Sequence, residues 1–411
     1  MTESRLVDRL HLLGVLGSNK VMAGELARLT RRAFSAERAN QLLTVPPAKD
    51  GPGGLLYPFA ADLAALCVCY HRTSARVLWD LAVSSATRLE PLYKDLVAAL
   101  SADERPWLRA GTISVLAFGV GEMQAGERQL VGTVKNALME VARQRNIELV
   151  LDADRPQMVF HVRSYKSGEQ SGGIVLSLDL AGRPMHQRGY RTMSGLAPLR
   201  EDLAANLLML ARYNPRVDVL VDPLAGVGTL GIEGALMAAG KKVWMSGRVP
   251  AATDIEPIAS EMSQFSGPLF GDTSAELHLC ELDPATFDLL HRSLETAGVA
   301  GQASTFEGDF RDWPAVPQLA GRGSGLILTN PPYGARLGMS RSDLCRLYQD
   351  LGDWCRQFVG YRAGFIVGSA DGARGEGPPA QLFLENFGGR PRIKKPIKNG
   401  PLSAQFLLYD L

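Results

Sequence analysis

The chain lacks any apolar run near the roughly 20 residues that span a bilayer, which leaves a membrane helix without a candidate. Its start, MTESRLVDRLHLLGVLG, places Glu3, Arg5, Asp8 and Arg9 ahead of a short apolar stretch from Leu10 to Leu16. A signal peptide needs a longer stretch and a small-residue cleavage site, so a cytoplasmic protein is expected. Cysteine is scarce and odd in number: Cys67, Cys69, Cys280, Cys345 and Cys355 make no disulfide framework. Cys67-Val68-Cys69 has a one-residue gap and no second Cys or His pair at zinc spacing, so no metal is expected and free thiols in a reducing compartment are. Net charge is also nearly missing, 44 Lys and Arg against 43 Asp and Glu. That argues against a chain coated all over for nucleic acid, although a neutral total can conceal a basic half and an acidic half. There is no internal repeat and no low-complexity tract.

What is present is a composition of 46% hydrophobic and 21% charged residues over 411 positions, enough for two or three domains that each bury a core. Residues 10–16, 19–32, 60–70 and 76–81 read as strand, helix, helix and strand, a small α+β unit. A second such unit starts with the strand 112–119. An amphipathic helix follows over about 128–146, with Leu130, Val134, Leu138 and Val141 at helical spacing, then strands near 147–152, 158–163 and 173–180. The segment AGRPMHQRGYR gathers Arg183, His186, Arg188 and Arg191 beside Tyr190. It is a solvated basic loop, or a connector along a nucleic-acid path where Arg meets phosphates and Tyr stacks. From Leu196 onward helices and strands alternate as in one doubly wound α/β domain, with strands ending at Asp222, Glu281, Glu307 and Thr329 and a closing pair near 362–367 and 404–409. Residues 241–272 read as an insertion.

Four motifs at the strand ends carry chemistry. Asp222-Pro223-Leu224-Ala225-Gly226-Val227-Gly228-Thr229 makes a tight turn whose helix N-terminus offers unpaired N–H groups to an anion. Asp222 suits an α-amino group and would repel a pyrophosphate, so S-adenosylmethionine fits better than NAD. Glu281-Leu282-Asp283-Pro284 ends the next strand: Glu281 can accept both ribose hydroxyls, while Asp283 caps the following helix with Pro284 at its first position. Gly308-Asp309-Phe310 follows a third strand, where Asp309 can accept from an adenine amino group with Phe310 beside the ring, or is a turn acid. Asn330-Pro331-Pro332-Tyr333-Gly334 follows the strand GLILT. Its prolines fix the backbone, so the Asn330 oxygen and the Pro331 carbonyl form a rigid pair of acceptors for the two hydrogens of an exocyclic amino group. Holding those hydrogens frees the nitrogen lone pair for in-line methyl transfer, with Tyr333 stacked on a base that has left its helix or loop.

In this order, D-P-x-x-G-x-G-T, E-x-D-P, G-D and N-P-P-Y-G resemble the class I amino methyltransferases. LSLDLAGRPMHQRGYR, APLREDLAANLL and KNGPLSAQFLLYDL narrow the resemblance to the THUMP-domain RNA guanine-N2 methyltransferases. The resemblance covers Asp179 to the C-terminus most clearly and the first 60 residues least. It implies a Rossmann-like methyltransferase domain over 191–411, with a mostly parallel seven-stranded sheet. A ferredoxin-like α+β region (1–95) and a THUMP RNA-binding domain (96–190) would precede it. It further implies S-adenosylmethionine as cofactor and structured RNA, tRNA or large-subunit ribosomal RNA, as substrate. Ala197, Pro198 and Leu199 would cover the cofactor. Asp222, Pro223, Gly226, Gly228 and Thr229 would hold its methionine part, Glu281 and Leu282 its ribose, and Asp309 and Phe310 its adenine. Asn330, Pro331, Pro332 and Tyr333 would bind the target guanine. Glu281 departs from the family's commoner Asp, and Ser293 from a frequent Asn.

Asn-Pro-Pro-Tyr reads an amino group rather than one base, so an N6-adenine or N4-cytosine enzyme is the alternative, and a non-catalytic RNA-binding or assembly factor a more distant one. Divided at residue 192, the near-neutral total separates into 24 cations against 19 acids in the first half and 20 against 24 in the second. A basic N-terminal half fits a grip on phosphates. Arg183, Arg188 and Arg191 in the connector, and Arg390, Arg392, Lys394, Lys395 and Lys398 near the end, are the candidate RNA contacts.

Overall fold

The computed structural model describes residues 4–121, 123–167, 170–191, 199–245, 247–270, 273–332, 339–369, 378–399 and 402–411. In chain order its first elements are β1 (Ser4–Gly14), α1 (Asn19–Ala33), α2 (Ala36–Leu43), β2 (Ala48–Lys49), β3 (Gly54–Pro58), α3 (Ala61–Tyr70), β4 (Ser74–Ser84) and α4 (Leu89–Ser101). Next come β5 (Gly111–Phe118), α5 (Glu127–Gln144), β6 (Leu149–Leu151), β7 (Met158–Ser167), β8 (Gln170–Asp179) and α6 (Glu201–Leu210). Then follow β9 (Val219–Asp222), α7 (Thr229–Ala238), α8 (Ile258–Gln264), β10 (Leu277–Glu281), α9 (Pro284–Ala297), β11 (Ala303–Glu307) and α10 (Val316–Ala320). The chain closes with β12 (Gly325–Thr329), α11 (Arg341–Cys355), β13 (Arg362–Gly368), α12 (Pro379–Phe387), β14 (Ile393–Asn399) and β15 (Leu402–Asp410). These elements form two compact units.

The first unit comprises Met1–Gly14, Ala23–Met185 and Gly247–Ser266. One mixed sheet of order β2-β3-β1-β4-β8-β7-β5-β6 runs through it, and the antiparallel β4–β8 pair joins strands from either side of residue 95. The periodicity of α5 is realised in burial: Leu130, Val134, Leu138 and Val141 are fully covered and pack with Leu92, Leu96 and Leu100 of α4. Inside the sheet Asp80 accepts from Ser177 (2.7 Å), Arg163 (3.0 Å) and Arg9 (3.2 Å), so a fully buried carboxylate is matched by donors from three strands. Residues 247–266, read from sequence as an insertion in the α/β domain, belong to this unit. Phe265 packs edge-on against Tyr70 and Phe34.

The second unit comprises Val15–Met22, His186–Ser246 and Gly267–Leu411, and it contains every described motif at the strand ends. Its sheet has the order β11-β10-β9-β12-β13-β15-β14; β11 to β13 are parallel, and β15 runs antiparallel to both β13 and β14. The central strands β9 (VLVD) and β12 (GLILT) are buried throughout, as parallel strands covered on both faces require. Alternate residues feed two cores. Leu220, Leu279, Leu326 and Leu328 pack with α6, α7 and α9, while Val221, Cys280, Ile327 and Phe365 pack with α10, α11 and α12. β14 is an edge: Ile393 and Ile397 turn toward the core, and Lys394, Pro396 and Lys398 are exposed between them.

The connector corrects two sequence expectations. Arg188 is fully buried and pairs with the equally buried Glu233 of α7, Nε to Oε1 at 3.3 Å, and the Tyr190 hydroxyl donates to the same oxygen at 3.3 Å. Arg191 donates to the Leu199 carbonyl and to Thr229. Neither is presented to RNA. Arg183, Arg390, Arg392, Lys394 and Lys398 are exposed and Lys395 is half-buried, with Arg392 also 3.1 Å from Asp410. Replacing Glu233 with Ala should strand the Arg188 charge in the core and cost about 3–5 kcal/mol in urea unfolding, whereas Arg183→Ala should stay within about 0.5 kcal/mol.

Candidate active site

The parallel order reverses its winding between β9 and β12, since β10 and β11 lie to one side of β9 and β12 and β13 to the other. Loops leaving the carboxyl ends there diverge and open a crevice, the usual ligand position in such sheets. The loops after β9 and β11 are tied to the end of β10. Ala225 N–H donates to the Cys280 carbonyl (2.8 Å), Gly308 N–H to the Glu281 carbonyl (2.9 Å), and the Cys280 thiol to the Gly308 carbonyl (3.2 Å).

The glycine turn is built as its sequence implies. Gly226 and Gly228 have φ of +55° and +80°, a region that a side chain disfavours, and Gly228 is the residue before the first turn of α7. A Cβ at Gly228 would run into the Leu290 side chain of α9; one at Gly226 would meet nothing within 4 Å. Gly228 is therefore a packing requirement of α7 on α9. Gly226 lines open space.

Asp222 is 2% exposed and accepts from the Leu224 N–H at 3.1 Å. Burial pushes its carboxyl up to about 7; the Thr329 hydroxyl and the Leu224 N–H pull it down, and the Glu281 charge adds to the rise. An acid so poised gains from a cationic partner. Glu281, at the end of β10, accepts from Gly226 N–H of the neighbouring turn (2.8 Å) and from Asp283 N–H of its own (3.0 Å). Asp283 in turn caps α9 through Thr286 N–H at 2.8 Å, with Pro284 at the first helical position. Pro223 is buried, Thr229 is 4% exposed, and Leu282 is 63% exposed beside Glu281.

Asp309 is half-buried and held by Arg311, through its backbone N–H at 3.0 Å and its guanidinium at 2.5 Å, and Arg311 also donates to Asp350. Phe310 departs from expectation. Its ring is 3% exposed and meets Trp354 edge-on at 5.8 Å, so it belongs to the core and not beside a bound adenine.

Asn330 follows β12 at the crevice, and its Oδ1 is buried without a hydrogen-bond partner among the described residues. Such an acceptor costs roughly 1–3 kcal/mol unless something donates to it. The Tyr348 hydroxyl of α11 donates to the Pro332 carbonyl at 2.9 Å, which fixes the second proline and leaves the Asn330 oxygen and the Pro331 carbonyl as the acceptors of the motif. Tyr333, Gly334, Ala197 and Pro198 lie outside the described residues. Leu199 is buried just ahead of α6. Sequence reasoning missed Thr329, Arg311 and Tyr348. Thr329 could have been found as the residue entering the Asn-Pro-Pro turn, and Arg311 from its two-residue spacing to Asp309; nothing in the sequence pairs Tyr348 with a proline 16 positions earlier.

Residues 188–370 match the family model described as "UPF0020: RMKL-like, methyltransferase domain". Most of that stretch falls in the second unit, which is similar to an RMKL-like methyltransferase domain. The chain is also 33% identical over 364 residues to the ribosomal RNA large subunit methyltransferase K/L of Ectopseudomonas mendocina, covering 84% of this chain and 46% of that protein. The protein of the same name from Pseudomonas aeruginosa is 32% identical over 363 residues, with the same coverage. The chain thus spans about half the length of the curated relatives it matches.

Among solved structures, a predicted N6-adenine-specific DNA methylase from Listeria monocytogenes matches 99% of this chain and 96% of its own, at a TM-score of 0.76 and 20% identity. SMU.472, solved as a complex with SAH, matches 100% and 99% at 0.76 and 17% identity. TrmN from Thermus thermophilus matches 98% and 99% at 0.65 and 18% identity. At these identities the likeness establishes the α/β methyltransferase-type fold. In the methyltransferase domain, Gly228→Ala should cost about 2–4 kcal/mol of unfolding free energy in a denaturant titration, the sum of left-handed strain and the clash with Leu290.

Proposed function

We propose that the protein is an S-adenosylmethionine-dependent RNA methyltransferase that acts on the exocyclic N2 of a guanosine, with large-subunit ribosomal RNA favoured over tRNA. The observation that carries the reading is the buried, unpartnered Asn330 oxygen at the winding reversal of the sheet, backed by a pinned Asn-Pro-Pro turn. The names of the relatives supply the ribosomal substrate, and the resemblance of the whole motif set supplies guanine.

The residues present fit the cofactor. Asp222 faces no cation among its charged neighbours and suits an ammonium; open space at Gly226 and the N-terminus of α7 suit the carboxylate end. Glu281, beside the exposed Leu282, suits the ribose, and Asp309 suits the adenine amino group. When bound, S-adenosylmethionine supplies an electrophilic methyl on a sulfonium. The protein's share is positional. Asn330 Oδ1 and the Pro331 carbonyl accept the two amino hydrogens and turn the nitrogen lone pair out of conjugation with its ring. The surplus proton leaves to solvent after transfer, since the described residues of the motif offer acceptors but no general base.

We further assign 96–190 as the THUMP RNA-binding domain, 1–95 as the ferredoxin-like region and 191–411 as the catalytic domain. The exposed Arg183, Arg390, Arg392, Lys394 and Lys398, with the half-buried Lys395, are the phosphate contacts. The printed name of the Listeria neighbour keeps N6-adenine as the competing product.

The test is nucleoside mass spectrometry of ribosomal RNA and tRNA from a deletion strain after incubation with the protein. The expected product is N2-methylguanosine in the ribosomal fraction. Asn330→Ala should lower turnover at least a thousandfold with cofactor affinity changed less than threefold; undiminished turnover would sink the assignment. Affinity for S-adenosylhomocysteine, read by calorimetry, should rise from pH 6 to pH 7.5 as Asp222 ionises, and Asp222→Asn should flatten that slope. The sign follows from a raised carboxyl: below about 7 it is protonated and cannot pair with an ammonium. By the same shift the unliganded fold loses stability as pH climbs from 3.8 toward about 7.

A further inference from the structure

Arg191, expected from sequence at an RNA surface, instead joins two segments that border the crevice. Its Nη2 donates to the Leu199 carbonyl at 2.8 Å and to the Thr229 hydroxyl at 3.1 Å, and lies 3.4 Å from Glu201 Oε1. Thr229 is the first residue of α7, directly after the glycine turn, and Leu199 and Glu201 bracket the entry to α6. One guanidinium therefore fastens the chain ahead of α6 to the start of α7. No other described side chain does so by a hydrogen bond from its head group to both segments.

The electrostatics agree with a built tie. The Arg191 side chain is only 17% exposed and its Nε is buried without a partner, while Glu201 is 3% exposed. Burial pushes the Glu201 carboxyl up to about 7 against the pull of Arg191, so the ion pair sits in a poorly solvated place where its geometry matters. All three contacts converge on one nitrogen, Nη2, whose two hydrogens serve the Leu199 carbonyl and the Thr229 hydroxyl with Glu201 as ion-pair partner, so a Lys ammonium could restore part of the tie but not its reach or its fixed planar direction.

We propose that Arg191 is a positioning residue for the cofactor. It sets the Leu199 segment against the glycine turn before any ligand arrives, so that binding does not have to order the two segments. This rests on the reading of the crevice as an S-adenosylmethionine site. Arg191 acts through Leu199 and Thr229 and touches no reacting atom. Pre-ordering of this kind raises affinity without altering the chemical step.

The experiment is a comparison of the full chain with Arg191→Ala, Arg191→Lys, Thr229→Val and the Arg191→Ala/Thr229→Val double variant. Calorimetric binding of S-adenosylhomocysteine, thermal midpoints without ligand, and kcat and KM for methyl transfer are the readouts. Arg191→Ala should weaken binding about tenfold and raise the cofactor KM in step, with kcat at saturation within twofold and the RNA KM unchanged. Arg191→Lys should recover part of the loss. The double variant should be no weaker than Arg191→Ala alone, because both changes remove one shared tie. Binding by Arg191→Ala equal to that of the parent, additive losses in the double variant, or a fall in kcat instead of affinity would each overturn the proposal. Should Arg191→Ala fail to fold, Arg191→Lys and Thr229→Val decide it by the same split of affinity against kcat. A parent chain that binds no S-adenosylhomocysteine would overturn the cofactor reading itself, and this inference with it.

Discussion

A fully buried β-strand must have its backbone paired on both sides, and in the methyltransferase domain β9 meets that constraint by taking β10 as one neighbour and β12 as the other. The connections that follow must therefore part in opposite directions. The candidate site residues cluster at the strand ends around that gap: the glycine turn after β9, Glu281 at the end of β10 and Asn330 after β12. The crevice is a consequence of strand pairing, and the side chains only furnish it.

Furnishing it costs the fold something at each place. Asp222 is held in a dry position that favours its protonated form, and Asn330 Oδ1 is buried with no donor. Gly228 is confined to a left-handed turn by the packing of α7 on α9. Strain and unsatisfied polar atoms persist where the surrounding structure over-determines them, and they mark sites where a ligand is meant to complete the pairing. That these three fall within one crevice is stronger support for a ligand site than any of the motifs alone.

Much of this was legible in the sequence, and the exceptions have physical reasons. The turns after β9, β10 and β12 are written in glycine and proline, whose backbone constraints are local and so can be read locally. The same holds for the cap at Asp283. Arg188 and Arg191 could not be read that way. A basic residue in a loop is normally solvated, and only the fold brings Glu233 within reach of Arg188 from 45 positions away and Thr229 within reach of Arg191 from 38. Phe310 misled for the converse reason: next to Asp309 it looked like a ligand face, but its ring turns toward Trp354, 44 positions on in the chain. The strand β14 escaped notice because an edge strand spends its outward positions on Lys394, Pro396 and Lys398, which erases the apolar pattern that marks interior strands. The helices α2 and α12 are short, and tertiary packing decides them, whereas α4 carries Leu92, Leu96 and Leu100 at helical spacing and was open to reading.

Glu281 holds a last consequence. A carboxylate has about four lone-pair positions. Two are already engaged, by the N–H groups of Gly226 and Asp283, one from the turn after β9 and one from the turn after β10. Two remain, the number a vicinal diol can use. The reach of glutamate lets the same group tie the turn after β9 to the turn after β10 and still leave two acceptor positions open. On the proposed reading of the crevice, a ligand with only one hydroxyl at that position would leave half of this remaining capacity idle, so a ribose would be held there in preference to a deoxyribose.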